Sequence, residues 1–198
     1  MKKSHKYIIG IDEAGRGPLA GPVAVGTVKI KKDFDKKFFK GIKDSKKLTE
    51  EERGVWFELA KNAQKRKELF FSVSLISNTI IDKYGISKAI KIGIKRNLEK
   101  LSVSKKESYI LLDGSLKAPI EYKNQLTIIK GDEKIPVISL ASIVAKVTRD
   151  RYMKNLAKKY PIYKFEKHKG YGTLEHRKAI KKYGLISIHR KTFTKSLI

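Results

Sequence analysis

Three short apolar runs, each followed closely by a carboxylate, place the strongest constraint on how this chain can fold. The runs and their acids are residues 7–11 with Asp12 and Glu13, residues 109–112 with Asp113, and residues 126–129 with Asp132. Runs of this length predict short buried strands, and helical patterns between them favour parallel pairing. Because parallel strands end at the same edge of a sheet, we expect the acids to converge there. The sequence therefore predicts an α/β fold with an acidic site at one sheet edge.

The converging acids would need a cation, since carboxylates held close together repel one another. A site made only of carboxylate oxygens selects hard divalent ions, Mg²⁺ or Mn²⁺. One geometric condition applies to Asp12 and Glu13, because successive strand residues point to opposite faces. Both can serve one site only if the strand ends or twists between them, and the glycine-rich sequence that follows is compatible with this.

The net charge of the chain indicates what such a site acts on. Lys and Arg number 46 against 20 Asp and Glu, which gives a formal net charge of +26. An excess of this size indicates an anionic partner, most plausibly nucleic acid. A basic chain with a divalent-metal site suggests phosphodiester hydrolysis, in which two ions about 3.5–4 Å apart activate water and stabilise the leaving oxygen.

Composition also excludes several classes of protein. The chain has no cysteine, so a disulfide framework and a cysteine-based zinc site are impossible. No apolar run reaches the length of a membrane span, and the apolar stretch after the basic residues 1–6 is interrupted by Asp12, so we expect no signal peptide. We expect a cytoplasmic protein that acts as a monomer without membrane association.

The remaining elements follow from apolar periodicity. They are a strand at 23–30 that pairs with the first, a helix at 48–67, a strand at 69–76, a helical stretch at 78–101 broken near Gly85, and helices at 138–160 and 173–183. Thr49 and Glu52 have capping-box spacing at the start of the first helix. The apolar stripe predicted for that helix consists of Val55, Trp56, Leu59 and Ala63. We find no repeat or linker, and expect one domain over 1–198 with a helical C-terminal part at about 161–198.

Two glycine-rich segments are candidates for substrate contact. In the first, Gly15 and Gly17 would let the backbone approach a sugar while Arg16 pairs with a phosphate. In the second, Tyr171 lies between two glycines and is suited to stacking on a sugar or base, although a tyrosine packed over a loop gives the same pattern.

Basic and polar side chains elsewhere leave two interpretations open. Ser139, Ser142, Lys146 and Arg149 share one face of the predicted long helix, which either lines a phosphate backbone or is an ordinary solvated face. The segment Asp44–Ser45–Lys46–Lys47 either contacts phosphate, through Lys46 and Lys47 above all, or simply marks a helix entry. His168, His176 and His189 are scattered without metal-ligand spacing, so we expect structural or backbone-contacting roles for them.

Taken together, these segments resemble ribonuclease HII, the type 2 ribonuclease H family. The matching segments are GIDEAGRGPLAGPV at 10–23, DSKKL at 44–48, LDG at 112–114, KGD at 130–132, SLASIVAKVTRD at 139–150, HKGYGT at 168–173, His176, and HRKTF at 189–193. Two departures are small: Ser115 stands where asparagine is frequent, and Leu140 replaces a usual alanine. The type 3 relatives usually carry another residue in place of Arg16 and a further N-terminal domain, for which we expect no room in this chain.

The resemblance implies a ribonuclease H-like fold, with a mixed sheet flanked by helices and a C-terminal helical part. It implies endonucleolytic cleavage of the RNA strand of RNA–DNA hybrids, and cleavage 5′ to a single ribonucleotide in duplex DNA, which leaves 5′-phosphates and serves ribonucleotide excision repair. The metal-binding acids would be Asp12, Glu13, Asp113 and Asp132. Residues 15–17 would sense the 2′-hydroxyl at the RNA–DNA junction, and Tyr171 would stack on the following deoxyribose.

Two other functions fit part of the pattern. A different ribonuclease H-like nuclease, such as a junction resolvase or transposase-type enzyme, would share the acids but is disfavoured by the Gly–Arg–Gly sequence at 15–17. A non-catalytic RNA-binding protein, for instance one associated with ribosomes, would explain the charge but not three acids that follow strands.

Overall fold

A five-stranded mixed sheet forms the centre of the computed structural model, which describes residues 5–197. The strands are β1 (Tyr7–Ala14), β2 (Val23–Lys31), β3 (Leu69–Ile76), β4 (Ser108–Asp113) and β5 (Gln125–Ile128), in the spatial order β3-β2-β1-β4-β5. β1 pairs antiparallel with β2 and parallel with β4, which is itself parallel to β5. The predicted convergence of the carboxyl ends of β1, β4 and β5 is therefore confirmed, as is the pairing of the first two strands.

Helices cover both faces of the sheet and form most of the C-terminal part. They are α1 (Glu50–Lys65), α2 (Asn78–Tyr84), α3 (Ile86–Lys100), α4 (Gly131–Lys134), α5 (Pro136–Lys159), α6 (Phe165–His168), α7 (Leu174–Tyr183) and α8 (Lys191–Thr194). Among residues 5–197, no helix combines the length and hydrophobicity needed to cross a bilayer. Of the basic N-terminal segment at 1–6, residues 1–4 lie outside the described residues.

The first strand is longer than its apolar run. We predicted that it ends at residue 11, but Glu13 and Ala14 still pair with Val25 and Ala24 of β2. The ladder with β2, rather than the apolar composition of the run, determines where the strand ends. Asp12 and Glu13 consequently lie inside a regular strand and point to opposite faces.

The long helix α5 packs very closely against the sheet, at two glycine positions. A Cβ atom at Gly10 of β1 would collide with the carbonyl of Val137, and one at Gly26 of β2 with the carbonyl of Ala141. These two glycines let the helix backbone rest directly on the sheet. The first half of α5 is therefore buried almost all round, and it runs past the carboxyl end of β1. The opposite face of the sheet is covered by α3, through its buried apolar residues Ala89, Ile90, Ile94 and Leu98.

Two predictions about helix faces need correction. In α1 the capping box of Thr49 and Glu52 is confirmed. Of the predicted stripe, Ala63 is buried and Trp56 packs beside it, but Val55 and Leu59 are 59% and 43% exposed and the helix buries Ala60 in their place. The apolar residues of this helix form two adjacent stripes, and contact with α5 and β3 selects the second. In α5, Arg149 belongs to no solvated or phosphate-facing surface, because its side chain is completely buried.

Candidate active site

Three aspartates from three different elements meet beyond the carboxyl end of the parallel strands. Asp12 lies in β1, Asp113 is the last residue of β4, and Asp132 lies in the short helix α4. One carboxylate oxygen from each lies within 4.8 Å of those of the other two. Asp12 and Asp132 are buried and Asp113 is half-buried. The convergence expected from the sequence is thus present, although Asp132 reaches it from a helix rather than from a strand end.

Local hydrogen bonds determine the position of the third acid. The carboxylate oxygen Oδ1 of Asp113 accepts from the amides of Gly131 at 2.7 Å and Asp132 at 3.3 Å. The hydroxyl of Ser139 in α5 donates to the carbonyl of Asp132 at 2.6 Å. Asp113 therefore caps the helix that carries Asp132, and α5 holds it from the other side.

The cluster carries more negative charge than the neighbouring Lys46 compensates. Burial, and then the negative charges of Glu13 and Asp113, raise the pKa of Asp12 well above its usual value, against the opposing effect of a hydrogen bond from Ser142. Lys46 is the cation at the cluster, with its Nζ 3.2 Å from Asp132 Oδ2, but most of its side chain is exposed. Crowded, partly desolvated carboxylate oxygens are a donor set that suits a hard divalent ion.

Glu13 takes a different position from the three aspartates. Its carboxylate is not part of the group within 4.8 Å. It borders the same groove and accepts a hydrogen bond of 3.0 Å from Arg16 Nε. Of the two adjacent acids, Asp12 thus faces the cluster and Glu13 connects the cluster to the glycine loop.

A groove of about 420 Å³ opens over the acids. It is lined by Asp12, Glu13, Ala14, Gly15, Arg16, Gly17, Ser45, Lys46, Asp113, Ser142, Lys146 and Tyr171. The structure thus brings together the candidate substrate contacts at 15–17, 46, 142, 146 and 171. Lys47 does not line the groove, and its Nζ instead lies 3.1 Å from Glu133 Oε2.

One wall of the groove is polar and comes from two distant segments. The hydroxyls of Ser45 and Ser142 share a hydrogen bond of 2.8 Å, and Lys146 Nζ lies 2.9 Å from Asp150 Oδ2. Ser45 belongs to the segment at 44–47 that the sequence offered as a possible phosphate contact, and it lines the groove together with Lys46.

The opposite wall joins the loop between β1 and β2 to the C-terminal part. The amide of Leu19 donates to the carbonyl of Gly170 at 2.8 Å, and the amide of Gly21 donates to that of Ile188 at 2.9 Å. Tyr171, next to Gly170, is 42% exposed, and one face of its ring lies 5.8 Å from the guanidinium carbon of Arg149. Arg190, within the HRKTF segment, lies buried behind this wall and donates to carbonyls of the loop; sequence reasoning had assigned it no role.

The three C-terminal histidines, expected to be scattered, form one buried cluster. The rings of His168 and His176 stack with centroids 4.6 Å apart, and His176 and His189 are joined through their Nε2 atoms. Burial lowers the pKa of both His176 and His189 to about 4. Their backbone contacts confirm the expectation of a structural role, since His176 Nδ1 lies 2.9 Å from the carbonyl of Tyr171.

Comparison with known proteins identifies the class to which this fold and site belong. The structure of the PCNA–ribonuclease HII complex from Archaeoglobus fulgidus matches with a TM-score of 0.75 and 27% identity, covering 96% of each chain. A Bst ribonuclease HIII solved with Mn²⁺ matches with a TM-score of 0.68 over 99% of this chain and 66% of that one, and at 16% identity it supports the fold alone. The fold is therefore ribonuclease H-like, as the resemblance implied.

Sequence comparison defines the family more narrowly. The sequence profile of ribonuclease HII matches residues 9–196. Ribonuclease HII of Caldicellulosiruptor bescii is 42% identical over 198 residues, which is 100% of this chain and 91% of the relative. The chain belongs to the ribonuclease HII family and is a hydrolase with ribonuclease H activity.

Proposed function

We propose that this chain is a metal-dependent endoribonuclease that degrades the RNA strand of RNA–DNA hybrids and nicks duplex DNA on the 5′ side of a single embedded ribonucleotide. The observation that carries the proposal is the cluster of Asp12, Asp113 and Asp132, two of which line a groove that also contains residues 15–17 and Tyr171. The groove thus combines a site for phosphodiester chemistry with groups suited to sugars.

The donor set fits Mg²⁺ or Mn²⁺, because it consists only of carboxylate oxygens in a site where negative charge is costly. Asp12, Asp113 and Asp132 would hold the ions, with Glu13 contributing from the rim. When bound, a pair of such ions supplies an activated water and stabilises the leaving oxygen.

The residues around the acids would bind and orient the phosphate backbone. Lys46 and Lys146 border the groove with their amines, each beside an aspartate at 3.2 Å and 2.9 Å. Both amines can contact phosphate while reducing the repulsion between the substrate and the acids. Arg16, with a half-exposed side chain, can do the same at the opposite wall.

Substrate choice would come from the second wall. Arg16 and Gly17 are exposed, and within residues 5–197 their amides donate no hydrogen bond. Free amides without a bulky side chain at Gly17 can approach a 2′-hydroxyl, which is the group that distinguishes RNA from DNA. Tyr171 has one ring face against Arg149 and would use the other to stack on the neighbouring deoxyribose.

Cleavage of a labelled DNA duplex that carries one ribonucleotide tests this function, with Mg²⁺, with Mn²⁺ and with a chelator. We expect metal-dependent nicking 5′ to the ribonucleotide and none of an all-DNA duplex. Cleavage of a long RNA–DNA hybrid alone would contradict the role assigned to residues 15–17. Tight, salt-sensitive binding without cleavage of either substrate would favour a non-catalytic RNA-binding protein.

We further propose that the chain forms one domain and acts as a monomer in the cytoplasm, where it begins the removal of ribonucleotides from DNA. The three aspartates, residues 15–17 and Tyr171 would give a monomer all the groups that the proposed reaction uses. Light scattering with and without duplex tests the monomer, and a protein–DNA complex containing two chains would contradict it.

A further inference from the structure

Two completely buried arginines lie beneath the loop that connects β1 and β2. Arg149 comes from α5 and Arg190 precedes α8. In the described part of the chain, neither forms an ion pair with a carboxylate. Burying a charge without a counter-ion costs free energy unless its donors are hydrogen-bonded. The hydrogen bonds of the two guanidinium groups therefore show what these arginines stabilise.

Arg190 binds three backbone carbonyls of the loop. Its Nη2 donates to Gly15 at 2.7 Å, its Nη1 to Arg16 at 2.8 Å and its Nε to Gly21 at 2.9 Å. The fixed fork of a guanidinium therefore sets the positions of both ends of the loop at once. The carbonyls of residues 15 and 16 point at the buried guanidinium of Arg190. The peptide groups that join residue 15 to 16 and residue 16 to 17 therefore have a fixed orientation relative to the groove.

Arg149 supports the next part of the loop and the tyrosine. Its Nε donates to the carbonyl of Pro22 at 2.9 Å and its Nη2 to that of Ala20 at 3.3 Å. Its guanidinium carbon lies 5.8 Å from the centre of the Tyr171 ring. Its Nη1 is buried without a hydrogen-bond partner among residues 5–197. Arg149 thus contacts both parts of the wall that would read the substrate.

The two parts of this wall are far apart in sequence. Residues 15–17 follow β1, whereas Tyr171 lies in the C-terminal part between α6 and α7. Their separation depends on the backbone bonds from Leu19 and Gly21 and on the two arginines. Recognition of a junction needs this separation to match that of two adjacent sugars, one with a 2′-hydroxyl and one without.

We propose that Arg149 and Arg190 are positioning residues for junction discrimination, which hold the loop at 15–17 and Tyr171 at the spacing of a ribose and the following deoxyribose. This inference rests on the proposed function. It adds that discrimination depends on two groups that the substrate does not touch. A long RNA–DNA hybrid presents a ribose at both positions, so its cleavage depends less on this spacing.

The test compares Arg190→Lys with the unchanged protein on two substrates, a duplex with one ribonucleotide and a long hybrid. Lysine keeps the charge but cannot bind three carbonyls. We expect kcat/KM for the single-ribonucleotide duplex to fall about tenfold or more. For the hybrid we expect a change below about threefold.

Arg149→Lys serves as the second variant if Arg190→Lys does not fold, and both are assayed about 15 °C below their measured Tm. Arg66→Lys makes the same chemical change at an exposed arginine and is expected to alter neither rate.

A double-mutant cycle with Tyr171→Ala separates positioning from general loss of stability. If the arginine acts through the tyrosine and the loop, adding Arg190→Lys to Tyr171→Ala should cost less than about threefold further on the single-ribonucleotide duplex. Three results would overturn the proposal. They are losses in kcat/KM from Arg190→Lys and Tyr171→Ala that multiply in the double variant, equal losses on both substrates, and no loss in either Arg190→Lys or Arg149→Lys. Failure of the unchanged protein to cleave the single-ribonucleotide duplex would instead overturn the proposed function, and this inference with it.

Discussion

The Nε2 atoms of His176 and His189 lie 3.1 Å apart in the interior of the C-terminal part. His189 Nδ1 lies 2.9 Å from the amide of Ile186 and 3.3 Å from its carbonyl, and the shorter contact favours a neutral His189 ring with its proton on Nε2, donated to His176. His176 then carries its own proton on Nδ1 and donates it to the carbonyl of Tyr171 at 2.9 Å. This chain of hydrogen bonds is complete when both rings are neutral.

Stability should therefore fall in mild acid. Both pKa values are lowered by burial to about 4 from 6.5, so the unfolded chain binds these protons first as the pH falls. The two neutral rings stabilise the folded state fully above pH 6.5. This contribution to the free energy of unfolding is lost as the pH falls towards 4, by up to about 3 kcal/mol per histidine. The groups that face the pair are His168, stacked on His176, and Tyr163, whose ring lies 5.1 Å from that of His189.

Urea unfolding between about pH 7.5 and pH 4.5 measures this dependence. His189→Gln is expected to reduce the slope of unfolding free energy against pH below 6.5, because one of the two titrating groups is gone. A free energy that does not change between about pH 7 and pH 5 would contradict the assignment of two neutral, buried rings.

Gly15 and Gly17 should respond differently to alanine. Gly15 has φ +89°, and a Cβ atom there would overlap the guanidinium of Arg149, whereas nothing lies near a Cβ atom at Gly17. Gly15→Ala should lower the free energy of unfolding by about 1–3 kcal/mol. Gly17→Ala should change it by less than about 0.5 kcal/mol, yet reduce cleavage of the single-ribonucleotide duplex because the methyl group keeps the sugar away from the amide. Thermal unfolding and kcat/KM separate the two effects, and full activity of Gly17→Ala would contradict the close approach.

Asp12→Asn should abolish turnover while duplex binding stays intact or becomes tighter. The substitution removes a negative charge that is buried beside two other acids and that faces phosphate. Fluorescence anisotropy in chelator measures binding, and a nicking assay measures turnover. Asp33→Asn, at an exposed aspartate after β2, is the matched control. Metal-dependent cleavage by Asp12→Asn at the original rate would show that the catalytic acids lie elsewhere.

Arg16→Ala should weaken discrimination at the RNA–DNA junction. The guanidinium is half-exposed at the groove and is orientated by its hydrogen bond to Glu13. Loss of one charge-assisted phosphate contact should reduce kcat/KM for the single-ribonucleotide duplex by about tenfold. Arg66→Ala, at an exposed arginine paired with Glu68, should leave the rate unchanged. Unchanged cleavage by Arg16→Ala would exclude this role.

Duplex binding should weaken steeply as salt rises, because phosphate contacts release counterions. Lys146 lines the groove, so Lys146→Gln should reduce the slope of log K against log salt by about one. Lys65→Gln, at an exposed lysine that ends α1, is the control and should leave the slope unchanged. A flat dependence for the unchanged protein would indicate that its charge of +26 has little to do with substrate.

Elements with strong local signals were predictable from sequence. The strand Leu69–Ile76, the break at Gly85 and the cap at Thr49 all appear where their patterns indicated. Each depends on residues within one turn or one strand, so a short segment of sequence contains the necessary information. Acids after short apolar runs were a sufficient signal for three members of the site.

Burial of individual side chains was less predictable. The pattern in α1 contains two adjacent apolar stripes, and Val55 became exposed because α5 and β3 contact the other one. Arg149 shares a helical face with Ser142 and Lys146, yet only its two neighbours reach the groove, because the β1–β2 loop covers the arginine. Periodicity defines faces of a helix but not what packs against them.

Local pattern and residue identity are enough to specify the strands, the acids that follow them, the excess of positive charge and the family. The packed fold is needed to bring three histidines into one cluster, to carry Asp132 into the site on a helix, and to place two buried arginines under the loop at 15–17. These relationships join residues more than a hundred positions apart or on separate elements. Long-range contacts of this kind arise only when the sheet is formed and its helices are packed, which no local pattern encodes.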